Sequence, residues 1–221
     1  MLRCSSDTPG MPATAPIRVM TVDDHPLMRE GIAALLAAHD GLELVGEAAD
    51  GQAAVEAFAA LRPDVVLMDL QMPELDGAAA IARIVAQSPD ARVLVLTTYR
   101  GDAQARRAFA AGASGYLLKN AIRRELVEAI RQVHAGRRYL PAEVAAELGQ
   151  YALQDELSAR ELDVLRRLAQ GGSNRDIGAE LGLSEDTVKT HMKAILSKLH
   201  AADRTQAVVI AIRRGIVDVW N

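Results

Sequence analysis

The chain predicts two domains of different class: a doubly wound α/β domain of five strand and helix units, then a small all-α domain of four helices. Three observations carry this reading. A length of 221 residues buries two modest cores more readily than one large one. From Ile17 to about Ala135, short β-branched runs alternate with longer Ala- and Leu-rich stretches at helical spacing. From Leu157 onward the strand pattern stops, and helix starts led by serine follow one another.

Taken in order, residues 1–16 carry Arg3 and several Pro, Ser and Thr without a continuous apolar segment. They read as a disordered leader rather than a signal peptide, and Met11 offers an alternative start. The α/β domain is expected over 17–135. Its strands fall near 17–22, 42–47, 64–69, 92–97 and 113–118, with helices near 26–38, 51–60, 76–86, 102–111 and 122–135. The third and fourth strands are apolar on both faces, as central parallel strands covered by helices must be. Residues 136–156 read as a linker, with Pro141 opening a short helix that Gly149 is expected to stop. In the last domain, 157–221, Ser158 with Glu161 matches a capping box. Ser173 with Asp176, and Ser184 with Glu185 and Asp186, place acid in a first turn, where the helix dipole favours it. A fourth start lies at Asp203 with Gln206, and Gly171, Gly172, Gly182 and Gly215 supply stops.

Composition narrows the classes. Half the residues are apolar and only 3% aromatic, and 25 Lys plus Arg oppose 29 Asp plus Glu. That mildly acidic balance excludes neither a nucleic-acid partner nor an enzyme, because local patches decide such matters. A single cysteine, Cys4, rules out an internal disulfide and a cysteine-based zinc cluster and fits a reducing cytosol. The longest apolar runs are strand-sized, so a soluble, cytoplasmic protein without a membrane span is expected.

In an open parallel sheet, chemistry gathers at the carboxyl ends of the strands. Asp23 and Asp24 close the first strand, Asp69 the third, Thr97 the fourth and Lys119 the fifth. Carboxylates gathered without a cation repel one another, which favours a hard divalent ion with oxygen ligands, Mg2+ being the natural candidate. The ion could bridge a phosphoryl oxygen while an ammonium and a hydroxyl hold others, leaving Asp69 as phosphate acceptor. Taken singly, each residue has a plainer reading: turn former for an Asp, strand residue for Thr97, solvated charge for Lys119, core for Tyr116. Their joint placement reverses that reading.

These residues resemble a CheY-type receiver domain over about 17–135. The matching motifs are Asp23-Asp24, Asp69-Leu70-Gln71-Met72-Pro73 with Asp76-Gly77, Thr97-Thr98, and Gly115-Tyr116-Leu117-Leu118-Lys119. The resemblance implies that Asp24, Asp69 and the backbone carbonyl of Gln71 coordinate the ion and that Asp23 acts through water. It further implies that Thr97 and Lys119 hold the phosphoryl group and that Tyr116 is a switch aromatic. Asn120 departs from the pattern, standing where a proline is frequent, which leaves the Lys119–Asn120 peptide geometry open. Gln71 and Tyr99 are similar in position to residues that tune acyl-phosphate lifetime, a bulky Tyr99 being expected to hinder the attacking water.

In the last domain, Glu185 to Leu199 places Val188, Met192, Ile195, Leu196 and Leu199 on one stripe and Thr187, Lys189, Thr190, Lys193 and Ser197 opposite. Residues 187–199 hold Lys189, Lys193 and Lys198 without any acid. A preceding helix, Asn174 to Leu181, joins through Gly182-Leu183-Ser184, the length of a helix-turn-helix corner, so the longer helix is expected in a major groove. Leu157 to Glu161, Gly172 to Gly178, Leu183 to His191 and Arg204 to Ala207 are similar to the LuxR-type DNA-binding domain. The whole chain is thereby identified as a member of the NarL/FixJ response regulators. That resemblance implies a sensor histidine kinase and double-stranded promoter DNA as partners, base or phosphate contacts from Lys189, Thr190 and Lys193, and a homodimer when phosphorylated; Thr187, on the same face, is added to the expected DNA-binding set. No enzymatic activity is expected beyond the chain's own phosphorylation and dephosphorylation. A haloacid-dehalogenase-type phosphatase, the competing enzyme class, usually wants a second carboxylate two residues after the nucleophile, where this chain has Gln71.

Overall fold

The computed structural model describes residues 15–98, 101–151 and 156–217. Most of the leader and Tyr99 lie outside the described residues. The chain begins as five β/α units. These are β1 (Ile17–Val22), α1 (Pro26–Ala37), β2 (Leu42–Ala48), α2 (Gly51–Leu61), β3 (Val65–Asp69), α3 (Gly77–Gln87), β4 (Val93–Thr97), α4 (Asp102–Ala110), β5 (Gly115–Leu118) and α5 (Ile122–His134). All strand pairings are parallel, in the order β2-β1-β3-β4-β5. The order reverses between β1 and β3, so the crevice at the carboxyl ends of those strands is the natural site.

The pleat of each strand divides its side chains between two cores. Met20, Val66, Met68, Val95 and Tyr116 face one side, packed on α2, α3 and α4. Val19, Val65, Leu67, Leu94, Leu96 and Leu117 face the other, packed on α1 and α5 through Ile32, Leu36, Leu126 and Ile130. Both faces of β3 and β4 are fully buried, which explains their unbroken apolar runs. Two helix starts are pinned by carboxylates: Asp50 and Asp76 accept from the N–H groups of Ala53 and Ala79 at 2.8 Å. Beside Asp76, Gly77 lies so close to the end of β3 that an added Cβ would come within 2.0 Å of the Asp69 carbonyl oxygen.

The segment after α5 is part of the fold. The Tyr116 N–H donates to the Tyr139 carbonyl at 2.8 Å, and Tyr139 forms a parallel bridge with Gly115. Helix α6 (Ala142–Gln150) then buries Val144 completely in the core shared by α2, α3 and α4. Gly149 does not stop this helix. It is not among the glycines with positive φ, and the helix runs one residue further, where the Tyr151 N–H still reaches the Glu147 carbonyl at 3.2 Å.

The remaining elements are helical: α7 (Ala159–Ala169), α8 (Asn174–Leu181), α9 (Glu185–Leu199) and α10 (Arg204–Arg213). Ser158 with Glu161 and Ser173 with Asp176 both form complete capping boxes, so a side chain as short as Asp closes the second one. Ser184 and Asp203 cap α9 and α10 through the N–H groups of Thr187 and Gln206. Gly182, with φ of 65°, ends α8 in the left-handed region that glycine reaches without strain. A separate core of Val164, Leu165, Leu168, Ile177, Val188, Ile195 and Ala211 holds the four helices together.

Candidate functional site

Strand ends set the geometry of the acidic pocket. Asp23 follows β1 and is fully buried, and Asp69 ends β3 with 3% exposure. Lys119 follows β5, where a single 3₁₀ turn (Lys119–Ala121) carries the chain into α5. Its Nζ lies 2.7 Å from Asp23 Oδ2 and 2.7 Å from Asp69 Oδ2, so one ammonium bridges two buried carboxylates. No cis peptide occurs among the described residues, and the Lys119–Asn120 bond is therefore trans. The Gln71 N–H donates to Asp69 Oδ1 at 3.2 Å, holding the carboxylate from its second oxygen.

Burial pushes the Asp69 carboxyl upward, opposed by the hydrogen bond and charge of Lys119, with the neighbouring Asp23 adding to the rise; the net direction is up. Burial acts to lower the Lys119 ammonium, but its bonds to Asp23 and Asp69 outweigh that effect and raise it. The pocket thus holds a firmly charged lysine against an Asp69 carboxyl that burial and the nearby Asp23 make costly to ionise.

Asp24, on the rim, and His25 complete the cluster. One ligand atom from each of Asp23, Asp24, His25 and Asp69 lies within 4.8 Å of the others. His25 Nδ1 sits 2.7 Å from Asp24 Oδ1 and 3.3 Å from Asp23 Oδ1. The place of this histidine directly after Asp24 is the signal that the sequence offers for it. The oxygen-rich donor set fits a hard divalent cation.

Thr97 stands one strand beyond β3, on β4, and Tyr116 on β5 next to it. Thr97 closes β4, with Leu96 beside it in register with Asp69. The Thr97 hydroxyl donates to Gln104 Oε1 at 3.3 Å and is also bonded to the Tyr116 hydroxyl. Tyr116 is fully buried, and burial raises its phenol pKa well above the ordinary value. Gln104 is a partner that sequence reasoning missed, since nothing in an exposed-looking Asp-Ala-Gln-Ala stretch announces a buried amide.

The basic face of α9 is exposed on the second domain. Lys189, Thr190 and Lys193 are open to solvent, while Val188, Met192, Ile195 and Leu199 are buried beneath them. Two findings refine the expected charge segregation. Lys189 is tied to Glu185 at 3.1 Å and Asp186 at 3.2 Å, so its charge is shared with the helix's own first turn. Lys198 does not belong to this face: its Nζ bonds Glu161 Oε2 at 2.7 Å and the Glu156 carbonyl at 3.0 Å, tying α9 to α7. Thr187 shares a hydroxyl bond of 2.8 Å with the capping Ser184, and Thr190 donates to the Asp186 carbonyl at 3.0 Å.

A parallel α/β domain with buried carboxylates bridged by a lysine, joined to a helix-turn-helix domain with an exposed basic face, defines a DNA-binding response regulator. Comparison with known proteins bears this out. Residues 19–131 match the response regulator receiver domain, and 155–211 match the bacterial regulatory proteins of the luxR family. The chain is 41% identical over 210 residues to the transcriptional regulatory protein LiaR of Bacillus subtilis (strain 168), covering 91% of this chain and 100% of that one. It is 36% identical to the response regulator protein VraR of Staphylococcus aureus (strain NCTC 8325), covering 91% and 99%. Among solved structures, the response regulator ChrA of a heme-sensing two-component system is 41% identical, with a TM-score of 0.55 over 92% of this chain and 100% of that one. The RcsB–DNA complex is 26% identical, with a TM-score of 0.66 over 90% and 98%. This chain belongs to the NarL/LuxR family of two-component response regulators.

Proposed function

We propose that Asp69 accepts a phosphoryl group from a sensor histidine kinase and that this event controls dimerisation and binding to promoter DNA. The observation that carries the proposal is the Lys119 ammonium held 2.7 Å from both Asp23 and Asp69 at the switch point of the sheet. In the transfer, an Asp69 carboxylate oxygen forms a bond to phosphorus as the P–N bond of a phosphohistidine breaks, and the departing imidazole keeps the bonding electron pair. Lys119 neutralises charge on the phosphoryl oxygens, and the Thr97 hydroxyl is the donor for another. Asp23, Asp24, Asp69 and the Gln71 carbonyl would hold Mg2+, which supplies charge neutralisation of the phosphoryl oxygens when bound. Tyr116, bonded to Thr97, registers the change in that hydroxyl's partner and biases an existing equilibrium.

The output is read by α9, with Lys189, Lys193, Thr187 and Thr190 as the DNA-contacting set and a homodimer on paired half-sites as the bound form. Likeness to the RcsB–DNA complex supports DNA as a partner. A promoter-DNA partner implies a cytoplasmic role, and no described helix is long and apolar enough to cross a membrane. The chain acts on no outside substrate and catalyses only its own phosphorylation and dephosphorylation.

The test is incubation of the full chain with acetyl phosphate and Mg2+, followed by phosphate-affinity electrophoresis. Wild type is expected to shift and Asp69→Asn is not. An Asp69→Asn protein labelled as fully as wild type refutes the assignment.

A further inference from the structure

We infer that Arg214 and Asp102 form a latch that fixes the orientation of the DNA-binding domain against receiver helix α4, and that Gln104 links the latch to the phosphoryl pocket without any masking of α9. This deepens the proposed function and rests on it.

The latch is a buried junction of three elements. Asp102 opens α4 and has no exposed surface; Arg214 caps the end of α10 and is 8% exposed. Arg214 Nε and Nη2 bond the two Asp102 oxygens at 2.8 and 3.0 Å, a bidentate pair across the domain boundary. The Arg214 guanidinium lies 4.1 Å above the Tyr151 ring, just beyond α6, and Arg106 bonds both Asp102 and the Tyr151 carbonyl. The backbones meet as well. The Arg214 carbonyl accepts from the Ala103 N–H at 3.2 Å, so the negative end of α10 abuts the positive end of α4. Gly101 permits this approach, since a Cβ there would lie 2.2 Å from the Arg214 carbonyl.

Gln104 reaches in two directions. Its Oε1 accepts from Thr97, the hydroxyl proposed to turn toward a phosphoryl group. Its Cγ packs against Gly215, where an added Cβ would come within 2.7 Å. Drawing the Thr97 hydroxyl toward Asp69 removes the donor that holds Gln104 and frees its side chain to move against the residue that follows Arg214. Meanwhile Lys189, Thr190 and Lys193 stay exposed in the latched state. The latch therefore restrains how two DNA-binding domains are oriented for pairing, not whether the helix is covered.

Amide hydrogen exchange on the full chain tests this, with beryllofluoride and Mg2+ as the phosphoryl probe. In wild type, peptides spanning 101–110 and 210–217 are expected to exchange at least about tenfold faster once the probe is bound, while the α9 peptide is unchanged. Asp102→Asn and Arg214→Gln should show the fast exchange without the probe. Tyr151→Leu, a milder change outside the ion pair, should show it in part and covers the case in which the buried variants fail to fold. Gln104→Leu should keep the slow basal exchange and lose the response. The latch is overturned if folded Asp102→Asn or Tyr151→Leu exchanges like wild type, or if the response to the probe falls on α9 alone. The link is overturned if Gln104→Leu responds normally. Fluorine NMR separates the two levels: probe that fails to bind wild type strikes the proposed function, whereas bound probe with no exchange response strikes only this inference.

Discussion

Replacing Lys119 by Met removes the one ammonium shared by Asp23 and Asp69 and leaves a side chain of similar length. The lysine side chain is 9% exposed and the two carboxylates 0% and 4%, so solvent screens the group little. Removing one partner of a buried ion pair costs about 3–5 kcal/mol, because the remaining charge is left uncompensated. Here two carboxylates lose their partner, but Asp69, already raised by burial, can take up a proton and cap the loss. A group whose folded pKa lies above its unfolded value stabilises the fold fully in acid and loses that contribution as the pH rises through the folded value. The deficit of Lys119→Met should therefore be about 3–4 kcal/mol near neutral pH and shrink toward acid. Mg2+ at a hundredfold excess over Kd should stabilise Lys119→Met by about 2.7 kcal/mol over its own metal-free form. Calorimetry of the full chain reads this out, the receiver transition being the one that moves with Mg2+. Adding Asp23→Asn to Lys119→Met should recover at least about 1 kcal/mol by removing one of the two opposed charges. A loss under about 1 kcal/mol at neutral pH, or one that does not change with pH, refutes the bridging lysine.

Other outcomes follow from the same geometry. Gly77→Ala would drive a Cβ to 2.0 Å from the Asp69 carbonyl, so the β3 end must shift; urea unfolding should show a loss of about 1–3 kcal/mol, with slower labelling by acetyl phosphate. Glu161, although burial opposes it, is lowered by Lys198 and by the Ser158 cap, so its contribution is present above its unfolded pKa and disappears as the pH falls through the folded one. Glu161→Gln should thus flatten the acid limb of the second domain's thermal stability. Lys189→Ala and Lys193→Ala should each weaken DNA binding at all sequences and reduce the salt slope by about 1 if the residue meets a phosphate, as fluorescence anisotropy at several salt concentrations would show.

Much of the fold was legible because its signals are local. Strand runs buried on both faces, Asp and Ser caps and the Gly182 turn each declare themselves within a few residues, and the elements fall within a few residues of their expected bounds. The pocket was legible for a topological reason: parallel strands put every carboxyl end on one edge, so Asp23, Asp69 and Lys119 had to meet. What depends on long-range packing was not. Lys198 looks like part of a basic face until Glu161 is seen beside it. Asp102 looks like an ordinary first-turn acid, although its bidentate partner lies in the other domain. Gly149 carries the local mark of a helix stop, yet Val144 and Leu148 are anchored in the receiver core and the helix runs on past it.

The bridge between Tyr139 and β5 has a practical consequence for dissecting this protein. A fragment cut at the end of α5 would strip the sheet of its outermost cover, leaving the Tyr116 amide without its acceptor and an open groove where Val144 had been. Such a border strand is sticky and invites neighbouring copies to dock. Chimeras that graft a foreign output module onto this receiver should therefore keep α6 and join beyond it.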